Sequence, residues 1–277
     1  MNPPDNRKKK VGLALSGGAA RGLAHIGVLD VLKRENIPID MIAGTSAGAV
    51  MGAVYASGQD THKMIEQALD ANWKKIPMID PSFPKTGFLK GRKIKALLSG
   101  FLGGDIRFTD LKIPFACVAT DIDTGEEVVI NSGSVADALR ATISIPGIFT
   151  VVKREGRYLV DGGLTTPVPV DVVKRMGADF VIAVNVNPDV SDRMGKSSQK
   201  RLKTHKEPNI FQIMMQSIYI TTYSLARGSL LEADIVIEPD LPNVGATDFH
   251  KVAEMISQGQ QAAQDAIPEI KRKLAEL

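Results

Sequence analysis

Residues Gly44-Thr45-Ser46-Ala47-Gly48 set a serine between glycines two before and two after it, where the apolar run Met41 to Ala43 gives way to small, helix-compatible residues. A strand-to-helix turn of this kind presents a nucleophile: the backbone at the serine is strained, the hydroxyl points into the open, and the glycines make room for a neighbouring chain. Upstream, the apolar run Val11 to Leu15 enters Ser16-Gly17-Gly18-Ala19-Ala20-Arg21-Gly22 and then a helix-like segment that begins at Leu23. A glycine turn at a helix N-terminus aims unpaired N–H groups outward at the positive end of the helix dipole, which suits an oxyanion. Two uses fit that chemistry: cradling a phosphate, or stabilising the tetrahedral intermediate formed when a serine attacks an ester. The run is not G-x-G-x-x-G, because Ala19 stands where the second glycine belongs, and no Walker lysine follows. With a serine turn downstream, acyl-ester chemistry is the leading reading; a phosphate- or nucleotide-binding module is the alternative from a different class.

A serine hydroxyl is a poor nucleophile until a neighbouring group takes its proton. The chain has four histidines: His25 in the first helix, His62 opening another, His205 in a charged stretch and His250 near the start of the last helix. None has a turn-forming context at a strand end, so each reads as a surface or helix-face residue. The better base is Asp161. The short run Gly156 to Val160 leads into Asp161-Gly162-Gly163-Leu164, which puts a carboxylate at a strand end beside glycines that let another backbone approach. A carboxylate is ionised at neutral pH and accepts a proton, although it is a weaker base than histidine.

These three motifs, in this order, resemble those of the patatin-like phospholipase family. GGAARG (Gly17 to Gly22) looks like that family's oxyanion-hole loop, GTSAG (Gly44 to Gly48) its nucleophile elbow and DGG (Asp161 to Gly163) its aspartate block; RATISIPGIF (Arg140 to Phe149) is similar to the segment before the aspartate strand. The resemblance implies Ser46 as nucleophile, Asp161 as base, and the amides around Gly17, Gly18 and Ala19 as the oxyanion hole. It further implies support from Arg21, Gly22, Gly44, Gly48, Gly162 and Gly163. Ala19 departs from the glycine common in the family; alanine keeps the amide donor but tolerates positive φ poorly. The implied activity is hydrolysis of fatty-acyl esters of phospholipids or lysophospholipids through an acyl-serine intermediate, or transfer of the acyl group to another acceptor. The implied fold is a patatin-like three-layer α/β sandwich.

The elements that must position these residues read as strands at Val11 to Leu15, Met41 to Ala43, Phe115 to Thr120, Val128 to Asn131, Tyr158 to Val160, Phe180 to Val186 and Ile235 to Ile237, alternating with helical stretches. That alternation predicts a mostly parallel sheet covered by helices on both faces. Asp121 to Glu127 has acidic spacing of the calcium-loop kind, but the other loop ligands are missing and a hairpin turn is expected. With 277 residues and 44% apolar content the chain is expected to form one domain over 11–277, after a basic, flexible N-terminus at 1–10. The motif-bearing core covers about 11–179, and helices occupy 209–277. The apolar segment 76–104, with Met78, Ile79, Phe83, Phe88, Leu97 and Phe101 among prolines and glycines, is either a lid over the serine or a helical excursion with its own small core. Ile210 to Leu225 is apolar nearly all round, which predicts a buried helix, with membrane binding as the alternative.

A single cysteine, Cys117 in an apolar run, excludes an internal disulfide and fits a reducing, cytoplasmic setting. MNPPDNRKKK reads as neither a signal peptide nor a membrane span. No metal ligand spacing is present, and no cofactor is expected. A net charge of +3 gives no case for nucleic acid as a partner. Basic residues bunch at Arg7 to Lys10 and at Arg193, Lys196, Lys200, Arg201, Lys203 and Lys206, as a solvated loop or as attraction to an anionic inner-membrane surface that holds the lipid substrate. The oligomeric state is not legible.

Overall fold

The computed structural model of the chain describes residues 9–71, 87–187, 207 and 209–277. The body of the sheet is parallel, in the spatial order β10 (Ile235–Ile237), β9 (Phe180–Val184), β1 (Val11–Leu15), β2 (Met41–Thr45) and β4 (Phe115–Asp121). Antiparallel partners complete it: β5 (Glu127–Ile130) and β8 (Arg157–Asp161) both bond β4, and β7 (Val152–Arg154) bonds β8. Two short strands, β3 (Gly87–Leu89) and β6 (Gly147–Phe149), form a separate parallel pair.

Period-2 alternation gives the sheet two buried faces. Val11, Leu13 and Leu15 of β1 and Phe180, Ile182 and Val184 of β9 enter the larger core with α1 (Ala24–Arg34), α2 (Ala47–Ala56), α5 (Val135–Thr142) and α8 (Val252–Ala275). Ala14, Ala43, Val181 and Ala183 point the other way, under α6 (Val170–Arg175) and Ala226 of α7 (Ile210–Leu230). The result is the expected α/β architecture with helices on both faces. All seven strands expected from the sequence are present, β2 and β4 running one or two residues further than the apolar runs and β9 ending two residues earlier, at Val184. The strands β3, β6 and β7 were not legible, being three residues each with no alternation long enough to count. Asp121 to Glu127 is the hairpin between β4 and β5.

The expectation of a buried helix at Ile210 to Leu225 is corrected. The helix lies at the surface, with Ile210 81% and Ile213 48% exposed and Ile220 and Leu225 also exposed. An apolar circumference cannot tell a helix buried on all sides from one that lines a cavity on one side and faces outward on the other. Of the segment 76–104, residues 76–86, with Met78, Ile79 and Phe83, lie outside the described residues, as does the side chain of Phe88. The remainder folds as β3, a turn and α4 (Arg92–Phe101), whose Leu98 is buried in the main core. The bunched basic residues at Arg7 and Lys8 and from Arg193 to Lys206, and His205 among them, also lie outside the described residues.

Helix α1, which follows the glycine loop directly, is fixed by its crossing with α8. The two backbones touch at reciprocal glycines: a Cβ on Gly27 would stand 2.1 Å from the Ile256 carbonyl oxygen, and one on Gly259 2.0 Å from that of Ala24. Gly27→Ala or Gly259→Ala must push these helices apart and is expected to cost about 1–3 kcal/mol, as overpacking does. Gly100→Ala in α4, where the new methyl meets nothing within 4 Å, is the control and should stabilise slightly. Thermal melts of the three variants check the contact; equal melting of Gly27→Ala and wild type would show that the crossing has slack.

Candidate active site

Strand pairing brings Ser46 to Asp161. Cys117 and Val118 of β4 bond β2 on one edge and β5 on the other, whereas Ala119 and Thr120 bond β8 and β5. The two strands β2 and β8 therefore share one edge of β4 and meet head to head, Thr45 opposite Val118 and Asp161 opposite Ala119. The residue after Thr45 is Ser46, and its Oγ donates to Asp161 Oδ2 at 2.7 Å. Both are buried, Ser46 at 6% and Asp161 at 8% exposure.

Ser46 takes φ 52° and ψ −121°, a backbone state that costs a non-glycine residue roughly 1–3 kcal/mol. The surroundings impose it. Its N–H donates to Thr142 Oγ1 at 2.9 Å, the Thr142 hydroxyl donates to the Val118 carbonyl, and the residue caps α2, with the positive end of that helix at the hydroxyl. Thr45 Oγ1 ties the end of β2 to the Thr166 carbonyl at 2.7 Å. Gly48 is required by proximity, since a Cβ there would lie 2.4 Å from the carbonyl oxygens of Leu15 and Ser16; Gly22 and Gly44 abut Ala47 and Ala49 of α2 in the same way. Gly162 presses on the Val118 carbonyl, and Gly163 donates its N–H to Asp161 Oδ1 at 2.8 Å. Burial pushes the Asp161 carboxyl up from its ordinary 3.8 to about 6, against the opposing pull of the Ser46 hydroxyl and the Gly163 N–H.

In the glycine loop, two of the three expected amides have no partner among the described residues. Gly17 N–H is engaged by the Pro167 carbonyl at 3.0 Å, which corrects its assignment as a donor to the oxyanion. The N–H groups of Gly18 and Ala19 make no hydrogen bond among the described residues, and both residues line the same cavity as Ser46. Ala19 does adopt the left-handed conformation, φ 51°, so alanine fits where a glycine was expected. Arg21 is 2% exposed, and its guanidinium lies 5.2 Å from the Tyr219 ring centroid. His25 is a helix-face residue but a fully buried one, its Nε2 bonding the Ser16 carbonyl at 2.9 Å and its pKa lowered by burial to about 4. It is neutral and braces the loop. Cys117 is a core strand residue whose thiol burial pushes up to about 12.

The cavity over Ser46 holds about 430 Å³, and its other walls are mainly apolar: Ile145, Pro146 and Ile148 on one side, Leu164, Met215 and Ile218 on the other. No histidine lines it, and none of the described residues 87–104 does. Among the described residues no group of three His, Cys, Asp or Glu comes together to hold a metal ion. The arrangement can activate a hydroxyl, hold a developing oxyanion on two amides and accommodate an apolar chain. Sequence reading missed Thr142 and Asn187, both buried at the site. Asn185 and Asn187 gave a signal, two amides spaced by two at the end of an apolar parallel strand, where open α/β sheets place ligands.

A family model described as patatin-like phospholipase matches residues 13–174. Over 272 residues the chain is 29% identical to an uncharacterized NTE family protein of Mycobacterium tuberculosis, covering 94% of this chain and 46% of that protein. It is 28% identical over 285 residues to lysophospholipase NTE1 of Kluyveromyces lactis, covering 95% of this chain and 19% of that one. The chain thus spans half or less of the length of these curated relatives. Among solved structures it is similar in fold to VipD from Legionella pneumophila, with a TM-score of 0.62 at 13% identity over 95% of this chain and 67% of that one.

The buried aspartate sets a pH dependence. Only the ionised carboxylate accepts a proton, so turnover that uses Asp161 is full above its pKa and lost as the pH falls through about 6. kcat/KM on a soluble ester should fall about tenfold per pH unit below that point. A limb near the ordinary carboxylate pKa of about 4 would show that burial does not set the basicity of the acting base.

Proposed function

The chain belongs to the patatin-like phospholipase family, and on that premise we propose that it is a serine acyl hydrolase acting on phospholipids or lysophospholipids. The observation that carries the proposal is the buried 2.7 Å hydrogen bond from Ser46 Oγ to Asp161, beneath an apolar cavity. In the proposed reaction Ser46 Oγ attacks the acyl carbonyl while its proton passes to Asp161. The Gly18 and Ala19 amides stabilise the oxyanion. Collapse breaks the ester C–O bond, and Asp161 returns the proton to the leaving alcohol. Water, deprotonated by Asp161, then attacks the acyl-Ser46 carbonyl, the acyl–Oγ bond breaks, and Asp161 returns the proton to Ser46 Oγ. Passing the acyl group to another alcohol instead would make the same site a transacylase. For a phosphate-binding module, a buried Ser-Asp pair has no purpose.

We further propose that the enzyme works at a lipid surface as a peripheral protein, the catalytic unit being the single domain 11–277. Supporting this, α7 carries no charged residue from Asn209 to Ala226 although Ile210, Ile213 and Ile220 are exposed on it. On the same face the hydroxyls of Ser217, Thr221 and Ser224 donate to the carbonyls of Ile213, Ser217 and Ile220, which leaves them little call on water. The opposite face of the helix lines the cavity through Met215, Ile218 and Thr222. No described helix is long and apolar enough to cross a membrane, so the contact proposed is interfacial.

Ser46→Ala should abolish ester turnover and labelling by a fluorophosphonate, with an unchanged melting temperature; activity within tenfold of wild type would remove Ser46 from the nucleophile role. Asp161→Asn should lower kcat by on the order of 10²-fold or more. Because the folded chain holds this proton more tightly than the unfolded one, ionising Asp161 costs stability as the pH rises from 3.8 to about 6. The Asn variant should therefore melt no lower than wild type at pH 8. The products made from a lysophospholipid with and without a second alcohol distinguish hydrolase from transacylase.

The lipid surface is tested separately. A double variant, Ile213→Asp with Ile220→Asp, should lose co-sedimentation with phosphatidylcholine vesicles and turnover of vesicle lipid, yet keep soluble-ester kcat within twofold. Equal vesicle binding by the variant and wild type would remove α7 from the interface.

A further inference from the structure

A Gly-Gly peptide is the least constrained link in a protein chain, because neither flanking residue has a Cβ to bias its φ and ψ. The Gly17–Gly18 peptide is such a link, and its N–H, that of Gly18, is one of the two unpartnered donors beside Ser46. A peptide that turns over by half a rotation about its flanking bonds would present a carbonyl oxygen to a developing oxyanion in place of a donor. Something must hold it.

The holder lies three residues past the end of β9. Asn187 Nδ2 donates to the Gly17 carbonyl at 2.8 Å, the two residues being 170 positions apart in sequence and both groups buried. In a planar trans peptide the C=O and the N–H point to opposite sides. Fixing the Gly17 oxygen on Asn187 therefore fixes the Gly18 N–H on the other side of the same plane. Asn187 is itself held: its N–H donates to Asn185 Oδ1 at 3.2 Å, and Asn185 Nδ2 donates to Glu238 Oε1 at 2.8 Å. A parallel tie joins the same two strand ends, from Val186 N–H to Ser16 Oγ at 3.0 Å. Two buried amides at 4% and 6% exposure are costly to retain unless their hydrogen bonds do something a hydrophobic pair would not.

We propose that Asn187 is a positioning residue for the oxyanion hole, locking the Gly17–Gly18 peptide with the Gly18 N–H toward the substrate carbonyl. The proposal rests on the acyl-hydrolase reading. Its signature is selective, because a donor aimed at the oxyanion acts on the tetrahedral state and little on the planar ester.

The test uses Asn187→Leu, which removes the amide at similar volume, and Asn187→Asp, which keeps the shape but sets an acceptor against the Gly17 carbonyl. Each is assayed with a soluble short-chain ester and with a trifluoromethyl ketone, whose adduct with Ser46 carries the oxyanion. Both variants should lose about 10- to 100-fold in kcat, since removal of a whole oxyanion donor costs 10²- to 10³-fold. KM should stay within about twofold, and Ki for the ketone should rise in step with the loss of kcat. Either variant that folds suffices for the comparison, folding being judged by its melting temperature. A kcat within twofold of wild type, or a kcat loss with unchanged ketone Ki, would overturn the role. The parent reading is judged independently on wild type: ester turnover that survives Ser46→Ala would end that reading, whatever Asn187 does.

Discussion

A carboxylate can be kept away from water only where its surroundings replace the hydration it gives up. At Asp161 the replacement comes from the Ser46 hydroxyl and the Gly163 N–H, and both depend on one feature of the sheet. Strands β2 and β8, running in opposite directions, end against each other along a single edge of β4. A parallel sheet alone would carry the end of β2 to its open C-terminal edge with no facing chain end. The antiparallel entry of β8 supplies one. Thr120 Oγ1, donating to the Asp161 carbonyl at 3.0 Å, and the Asp161 N–H, donating to the Ser144 carbonyl at 3.0 Å, then fix the aspartate backbone to β4 and to the exit of α5.

The same junction explains where strain is tolerated. Ser46 and Ala19, two of the four described non-glycine residues with positive φ, both line the cavity. Each sits where a strand turns into a helix that cannot move: α2 is pressed through Gly48 onto the end of β1, and α1 is pressed through Gly27 onto α8. Rigid packing behind the turns supplies the energy that the unfavourable dihedrals cost. A site made this way is preorganised, as the proposed reaction requires of the groups that face its developing charge.

Much of this was legible in the chain before any coordinates. Serine, aspartate and glycine loop were each readable because nucleophile elbows, strand-end carboxylates and helix N-termini impose local residue types. Donor assignment within the loop was not readable in that way. Gly17 was grouped with Gly18 and Ala19, and only its bond to the Pro167 carbonyl, from a segment far along the chain, separates it from them. Thr142 and Asn187 were missed for the same reason. Their contact with the site is a long-range hydrogen bond, to Ser46 across 96 residues and to Gly17 across 170, and even the strand-end signal of Asn185 and Asn187 does not name the partner.

The misreading of α7 has a different physical origin. Apolar residues on every side of a helix report that no side is held in bulk water, and burial in protein is only the commonest way to meet that condition. Met215 and Ile218 meet it by walling the cavity over Ser46. Ile210, Ile213 and Ile220 do not meet it among the described residues. The unsatisfied half of the pattern lies across a single 21-residue helix from the wall of a cavity suited to an acyl chain. In the proposed reading, a lipid surface that covers the first half is separated from the cavity by the width of this one helix. One helix thus carries both the wall of the cavity and the apolar face proposed to meet lipid.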